Sequence, residues 1–339
     1  VGLIRFNRKI MNKNSNYGRS LADFARTICP TFGNILVVMN EDNSDEANYQ
    51  HMQEVFTPDT DGLVRFYTSL ETAYAAAESN NNDIILLDGN SSHVIAEQMT
   101  IAKNRIHFVG MDGGGRLHGQ GAKVQNTDGT AAVSVIHVTG TRNTFRNIKF
   151  IQVDDDATSL NVLTEAGESS YYKNCSFVFG VGDNLDQTDA YEVLMSGDST
   201  EFHECTIGAD TLITSVARAG VCFDVVTTAA KSTVWKDCIF NVATSDADFD
   251  FIRVLTIADM HFGHIFINPI MLATISVSMG GIQTTVAVDS ANGLVAGNAI
   301  FVNPATNAAG LGDATYNDNF TVVGASGTAA TSGVGVAMT

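Results

Sequence analysis

Short apolar strands, each interrupted by one polar residue, recur through the middle of this chain. Anchored on an aromatic, they read FRNIKF from Phe145, YKNCSF from Tyr172, FHECTI from Phe202, WKDCIF from Trp235 and FGHIFI from Phe262, at intervals of 27, 30, 33 and 27 residues. Position four is Ile148, Cys175, Cys205, Cys238 or Ile265, and position six is Phe150, Phe177, Ile207, Phe240 or Ile267. On a straight strand, positions one and four face opposite sides. A strand that buries both must therefore bend between them. Position three, which is Asn147, Asn174, Glu204, Asp237 or His264, is the expected bend. Asn and Asp tolerate the left-handed conformation that a sharp bend needs; Glu204 and His264 suit it less.

A second apolar strand precedes each copy: VSVIHV at 133–138, LNVL at 160–163, YEVLM at 191–195, VCFDVV at 221–226 and FIRVLTI at 251–257. The unit is strand, turn, strand, bend, strand and variable loop. A period near 30 residues predicts stacked units rather than a compact globule, with like strands parallel and about 4.8 Å apart. Through FRNIKF, YKNCSF and WKDCIF the chain resembles the right-handed parallel β-helices of the pectate-lyase-like superfamily, over residues 68–270. The predicted class is all-β, a solenoid with an N-terminal capping helix and a small C-terminal β module. In such a coil Phe145, Tyr172, Phe202, Trp235 and Phe262 form one internal ladder, and Cys175, Cys205 and Cys238 fill an inward column as small apolar groups.

The flanking patterns differ. TSLETAYAAAES starts with an expected capping box, Thr68 with Glu71, and Leu70, Ala73, Tyr74 and Ala77 make one apolar helical face. This helix is expected to plug the open end of the coil. NDIILLDGN then reads as a buried strand. Residues 31–67 read as a separate docking element, with a strand in GNILVVMN and a helix presenting Tyr49, Met52 and Phe56. Residues 271–339 alternate and turn in the manner of a small barrel or sandwich. Their only charges are Asp289, Asp313 and Asp318, which suggests burial against neighbouring subunits.

Charge changes the picture at one end. The chain carries a net −18, yet residues 1–26 hold six basic residues against Asp23, leaving −23 on the remainder. Residues 1–30 are read as a basic arm, with Arg5, Arg8, Lys9, Lys13 and Arg19 docking on an acidic partner subunit. No apolar stretch follows the arm's charges, so it is not expected to be a secretory signal. An acidic body disfavours nucleic acid and anionic membrane as partners. Five cysteines, an odd number with no CxxC pair, point to a reducing compartment and to no zinc site.

Enzymes of the resembled superfamily act on acidic polysaccharides, so their chemistry frames the candidate residues. Lyase chemistry needs a carboxylate cluster for calcium and a base. Asp154 to Asp156, together with Asp183, Asp186 and Asp189 on the next loop, supply carboxylates, and only Arg218 and Lys231 lie in later loops. Hydrolase chemistry needs paired carboxylates. The polygalacturonase pattern runs NTD, DD, GHG and RIK; NTD stands at 126–128 and DD at 154–155, GHG is reduced to FGH at 262–264, and RIK is absent. The Gly-rich 110–121 stretch lacks GK[ST] and opens no helix, so it is read as a turn between coils.

The expected function is a non-enzymatic bacteriophage virion protein: a β-helical capsid-decoration, fibre or tail-spike subunit. It is expected to be a homotrimer, to contact other virion proteins, with a host-surface glycan as a further candidate partner, to use no cofactor or metal, and to assemble in the bacterial cytoplasm. The phage assignment comes from resemblance. The alternatives are a polysaccharide-degrading tail spike using Asp154, Asp155 and Asp183, and a carbohydrate-binding adhesin.

Overall fold

The computed structural model describes residues 33–40, 47–55, 65–90, 92–111, 114–115, 117–180, 187–216, 218–223, 232–244, 249–254 and 264–275, with strands at 285–289, 299–301, 319–321 and 333–337. The basic arm, including Arg5, Arg8, Lys9, Lys13 and Arg19, lies outside these residues. No described helix is long and apolar enough to cross a membrane.

The chain winds into a parallel β-helix with three sheets. Sheet A has nine strands, ordered Phe66–Tyr67, Ile35–Val38, Ile84–Leu87, His107–Gly110, Thr144–Arg146, Tyr171–Lys173, Glu201–His203, Val234–Lys236 and Ile265–Ile267. Sheet B runs from Ser92–Ile95 through Lys123–Asn126, Lys149–Gln152, Ser176–Phe179 and Thr206–Ile207 to Ile239–Thr244, which also pairs with Ile213–Thr214 and Ile270–Ile275. Sheet C has six strands: Met99–Ile101, Ser134–Val138, Asn161–Glu165, Tyr191–Met195, Ala219–Phe223 and Asp250–Val254. Each coil visits A, B and C in turn. Further along, Thr285–Asp289 pairs antiparallel with Gly333–Ala337, and Ala299–Phe301 with Asn319–Thr321.

The bend between sheets A and B is made by one left-handed residue per coil: Asn147, Asn174, Glu204, Asp237 and Asn268, all with φ between 49° and 58°. Glu204 adopts it despite its type, and its carboxylate lies 3.8 Å from Lys173. In the last copy the bend is Asn268, not His264, so the frame moves by four residues. Phe266 pairs with Trp235 across the rungs, while Phe262 lies outside the described residues. FGHIFI and FINPIM overlap, and the residue able to turn left-handed decides between them. Ile265 and Ile267, expected inside, consequently point outward and are exposed.

The aromatic stack runs from Phe108 through Phe145, Tyr172, Phe202 and Trp235 to Phe266. Ring centroids are 4.9, 4.8, 4.6, 3.9 and 6.1 Å apart. Each near-parallel contact adds about 0.5–1.5 kcal/mol beyond area burial. Phe150 and Phe177 form a second stack at 5.4 Å that meets the first edge-on. Cys175, Cys205 and Cys238 stand in the corner between the two stacks, fully buried and unbridged.

Helix α1, Ala47–Val55, lays Tyr49 and Met52 against the outer face of sheet A; Phe56 falls outside the described residues. The strand Ile35–Val38, read as part of a separate element, is hydrogen-bonded between Phe66–Tyr67 and Ile84–Leu87 within that same sheet. Helix α2, Leu70–Ala76, closes this end of the coil. Its N-cap is Ser69 rather than Thr68: the Ser69 hydroxyl accepts from the Thr72 N–H at 3.2 Å, and Glu71 instead accepts from the Ala96 N–H at 3.0 Å. This start puts Leu70, Ala73 and Ala77 against the core, with Tyr74 tilted over Phe108.

Candidate functional site

The strongest concentration of chemistry sits where two consecutive coils pass from sheet B to sheet C. Asn126 and Gln152 end their sheet B strands with fully buried side chains. Asn126 Oδ1 accepts from the Val153 N–H at 3.0 Å, and Gln152 Nε2 donates to the Asn161 carbonyl at 3.0 Å, turning the chain outward. These turns bring Asp128 beside Asp154 and Asp155, with one oxygen from each within 4.8 Å of the others. The NTD and DD segments therefore do meet in space.

Their environments differ sharply. Asp154 is fully buried. It accepts from the N–H groups of Gly129, Thr130, Ala132 and Asp156 at 3.1–3.2 Å and from the Thr130 hydroxyl at 2.9 Å. Burial alone would raise its pKa, but the donors, led by Asp156 N–H, hold it down to about 2. A carboxylate so saturated is an anchor for its loops and stays ionised at neutral pH, so it cannot serve as a general acid. Asp128 and Asp155 are exposed, and the Asp155 N–H donates to Asp128 Oδ1 at 3.3 Å. The three carboxylates are the residues that could approach a hard cation, although both oxygens of Asp154 already have protein donors.

The other expected participants are not brought to this corner. Asp183 and Asp186 lie outside the described residues, as does Lys231. Asp189 is exposed and is not part of the cluster. Arg218 is committed elsewhere: Nη1 and Nη2 donate to Glu192 Oε2 and Oε1 at 3.0 and 2.7 Å, both residues are buried, and the guanidinium lies between the rings of Phe179 and Phe249. His264, from the FGH echo, shares a hydrogen bond with the Thr233 hydroxyl at 2.8 Å and packs on Phe223.

Two buried polar groups escaped the sequence reading. Glu165 faces the interior in a column with Val138 and Met195. It accepts from the Tyr172 hydroxyl, the Gly167 N–H at 2.9 Å and the Ser170 hydroxyl at 3.3 Å. Burial pushes its carboxyl up to about 7 against those donors, yet it is sealed inside the coil away from any polysaccharide. Glu192 falls where the pairing in sheet C skips a residue at every rung, between Asn161↔Tyr191 and Leu163↔Val193. Its side chain is buried. The Cys205 thiol is held well above its usual range by burial and by its neighbours Cys175 and Cys238, which suits packing rather than redox or metal chemistry.

No known protein family matches the sequence, and no curated protein matches it. Among solved structures the chain is similar to several proteins. Pectin methylesterase PemA from Erwinia chrysanthemi is 14% identical, with a TM-score of 0.41 over 76% of this chain and 82% of that one. Pectate lyase Pel9A is 14% identical, with a TM-score of 0.37 over 81% and 69%. ORF18 of Geobacillus virus E2 is 11% identical, with a TM-score of 0.29 over 79% and 72%. These likenesses carry no activity across, and it is the chain's own strand order and parallel pairing that make it a parallel β-helix.

Proposed function

We propose that this chain is a non-enzymatic structural subunit of a bacteriophage particle, a β-helical decoration, fibre or spike protein, assembled as a homotrimer in the bacterial cytoplasm and docked through its basic N-terminal arm. The observation that carries the non-enzymatic reading is the saturation of Asp154. The one buried carboxylate of the acidic cluster is consumed by its own loops, and Arg218, the described base candidate, is locked to Glu192. The absence of a disulfide among the described cysteines fits a reducing compartment. A stiff, regularly stacked rod fits a role in projecting from a surface. The test is incubation of the full chain with capsular and pectic polysaccharides. No reducing or unsaturated ends should form; their release would overturn the reading.

A second reading, a polysaccharide-cleaving spike, is favoured by one observation: the exposed Asp128 and Asp155 stand together beside Asp154, as a carboxylate pair for glycoside hydrolysis would. If turnover is found, Asp128→Asn and Asp155→Asn should each abolish it while leaving the coil folded.

A further inference from the structure

On the outer face of sheet A, the residue just before four consecutive left-handed bends is a cation or a histidine. Arg146, Lys173, His203 and Lys236 pair in register on successive rungs, about 4.8 Å apart. On a chain with a net −18 this file is a local reversal of charge, and like charges placed directly opposite one another disfavour a sheet. Part of the file is answered from within the protein. Glu204 lies 3.8 Å from Lys173, and Glu201 bonds His203 at 2.9 Å. The Asp237 carboxylate, next to Lys236, accepts from Asn268 Nδ2 at 3.2 Å.

Arg146 is not answered. Its guanidinium lies over the Tyr171 ring at 5.0 Å, and His203 packs against that same ring at 5.0 Å. The stack engages the guanidinium face and leaves its N–H edge without a partner. Among the described residues Arg146 makes no ion pair and no hydrogen bond, and its Nε is buried as well. A second orphan donor stands on the neighbouring strand. His107 is opposite Thr144 in register, two residues before Arg146, so it shares that outer face and lies within reach of a long side chain. His107 is 9% exposed; its Nδ1 shares a hydrogen bond with the Thr144 hydroxyl at 2.8 Å, and its Nε2 is buried with no partner. Burial, and then the Arg146 charge, hold His107 down to about 4. The ring is therefore neutral at pH 7, and Nε2 carries the proton when the Thr144 hydroxyl donates to Nδ1. The Asp83 carboxylate that acts on His107 is already satisfied by the Asn34 and Glu78 N–H groups and by Asn81 Nδ2, each at 2.7 Å. Two unpartnered buried nitrogens beside a file of cations call for an acceptor brought from outside.

We infer that the outer face of sheet A binds an oxyanion, a carboxylate or sulfate group, on the Arg146 guanidinium and the His107 Nε2–H, with Lys173 as the next positive charge along the file. A guanidinium held flat by an aromatic ring presents two parallel N–H groups to such an anion. The group is either a free small anion or a pendant group of a linear acidic glycan. The file is one side chain wide and has Glu201 and Glu204 beside it, so a densely charged nucleic-acid duplex would set its phosphates against carboxylates. The site is separate from the Asp128, Asp154 and Asp155 cluster, and it stands whether or not the protein belongs to a particle.

The test is isothermal titration calorimetry of the full chain with two probes, sodium sulfate and a hexameric oligouronate, at constant ionic strength. Both should bind the native chain. Arg146→Gln should weaken both at least about tenfold with an unchanged far-ultraviolet spectrum. Lys123→Gln, which removes the same charge from an exposed position on sheet B, should change neither by more than about twofold. Should Arg146→Gln misfold, Arg146→Lys replaces it: the charge stays, the paired N–H groups go, and binding should still weaken. Oligouronate bound at least about tenfold more tightly than sulfate, with that excess lost in Lys173→Gln, assigns the anion to an acidic glycan; equal affinity assigns it to a free anion. A native chain that binds neither probe, affinities indifferent to Arg146, or duplex DNA bound in preference to the oligouronate overturns the proposal.

Discussion

The two ends of the coil solve the same problem differently. At the N-terminal end, helix α2 sets Leu70, Ala73 and Ala77 on the core and Tyr74 over Phe108. Lys103 reaches up from the first coil, its Nζ donating to the carbonyls of Tyr74, Ala75 and Ala77 at 2.7–2.8 Å. It thereby satisfies orphan acceptors at the helix C-terminus and opposes the negative end of the helix dipole. Its backbone N–H donates to the Tyr74 hydroxyl at 2.8 Å, tying helix to coil again. At the other end, the Trp235 to Phe266 spacing widens to 6.1 Å and three isoleucines stand exposed. A stack of coils buries its core by repetition, so whichever coil is last needs a cover. One end builds that cover from the chain's own helix; the other leaves Ile265, Ile267 and Ile270 exposed.

The largest expected effect contrasts an internal rung with the last one. Phe202→Ala removes a fully buried ring from the middle of the stack and should cost about 3–5 kcal/mol in denaturant unfolding. Phe266→Ala should cost less than half of that, because its ring is already partly exposed. Equal losses would mean that the last rung is as well packed as the interior.

The pH dependence separates the middle from both ends. Because Glu165 has a pKa raised from 4.5 to about 7, its contribution to stability is complete below about pH 4.5 and is lost as pH rises through about 7. The loss is on the order of 3 kcal/mol. Glu165→Gln should flatten the stability curve between those limits. Asp154 has the opposite sign: its pKa is lowered to about 2, so its contribution is present above about pH 4 and disappears as pH falls through about 2. Circular dichroism melts across pH 2–8 follow both.

A smaller effect belongs to the closed end. Lys103→Ala should cost about 1–2 kcal/mol by releasing the three carbonyls of α2. Exchange should accelerate in residues 70–77 and stay unchanged in 234–244. Acceleration along the whole coil would show that α2 and the rungs open as one unit.

Much of the fold was legible because a bend constrains residue type. Asn147, Asn174 and Asp237 announce left-handed turns, and the aromatic two places before each marks the inward column. Glu204 makes the same turn without announcing it. The turn from sheet C to sheet A was not legible. Its left-handed residues are Arg105, Arg142, Ser169, Ser199 and Ser232, types that give no signal, held by bonds such as Arg142 N–H to the Glu168 carbonyl at 2.8 Å. A clue existed in Gly140, Gly167 and Gly197 at the same corner, where a Cβ would come within 2.1–2.2 Å of a carbonyl oxygen of the neighbouring coil. Phe108 was missed because no polar bend follows it closely. At the site, NTD and DD could be read as motifs, and their meeting followed from coil stacking. The burial of Glu192 could not be read from YEVLM, because its buried partner Arg218 lies 26 residues further on.

Native-state hydrogen exchange on the dilute full chain tests the contrast between the ends most directly. The account expects the amides of Ile35–Val38 and Ile84–Leu87 to exchange only with global unfolding, and those of Ile265–Ile267 to exchange at least about a hundredfold faster through local opening. Equal protection at the two ends would contradict it.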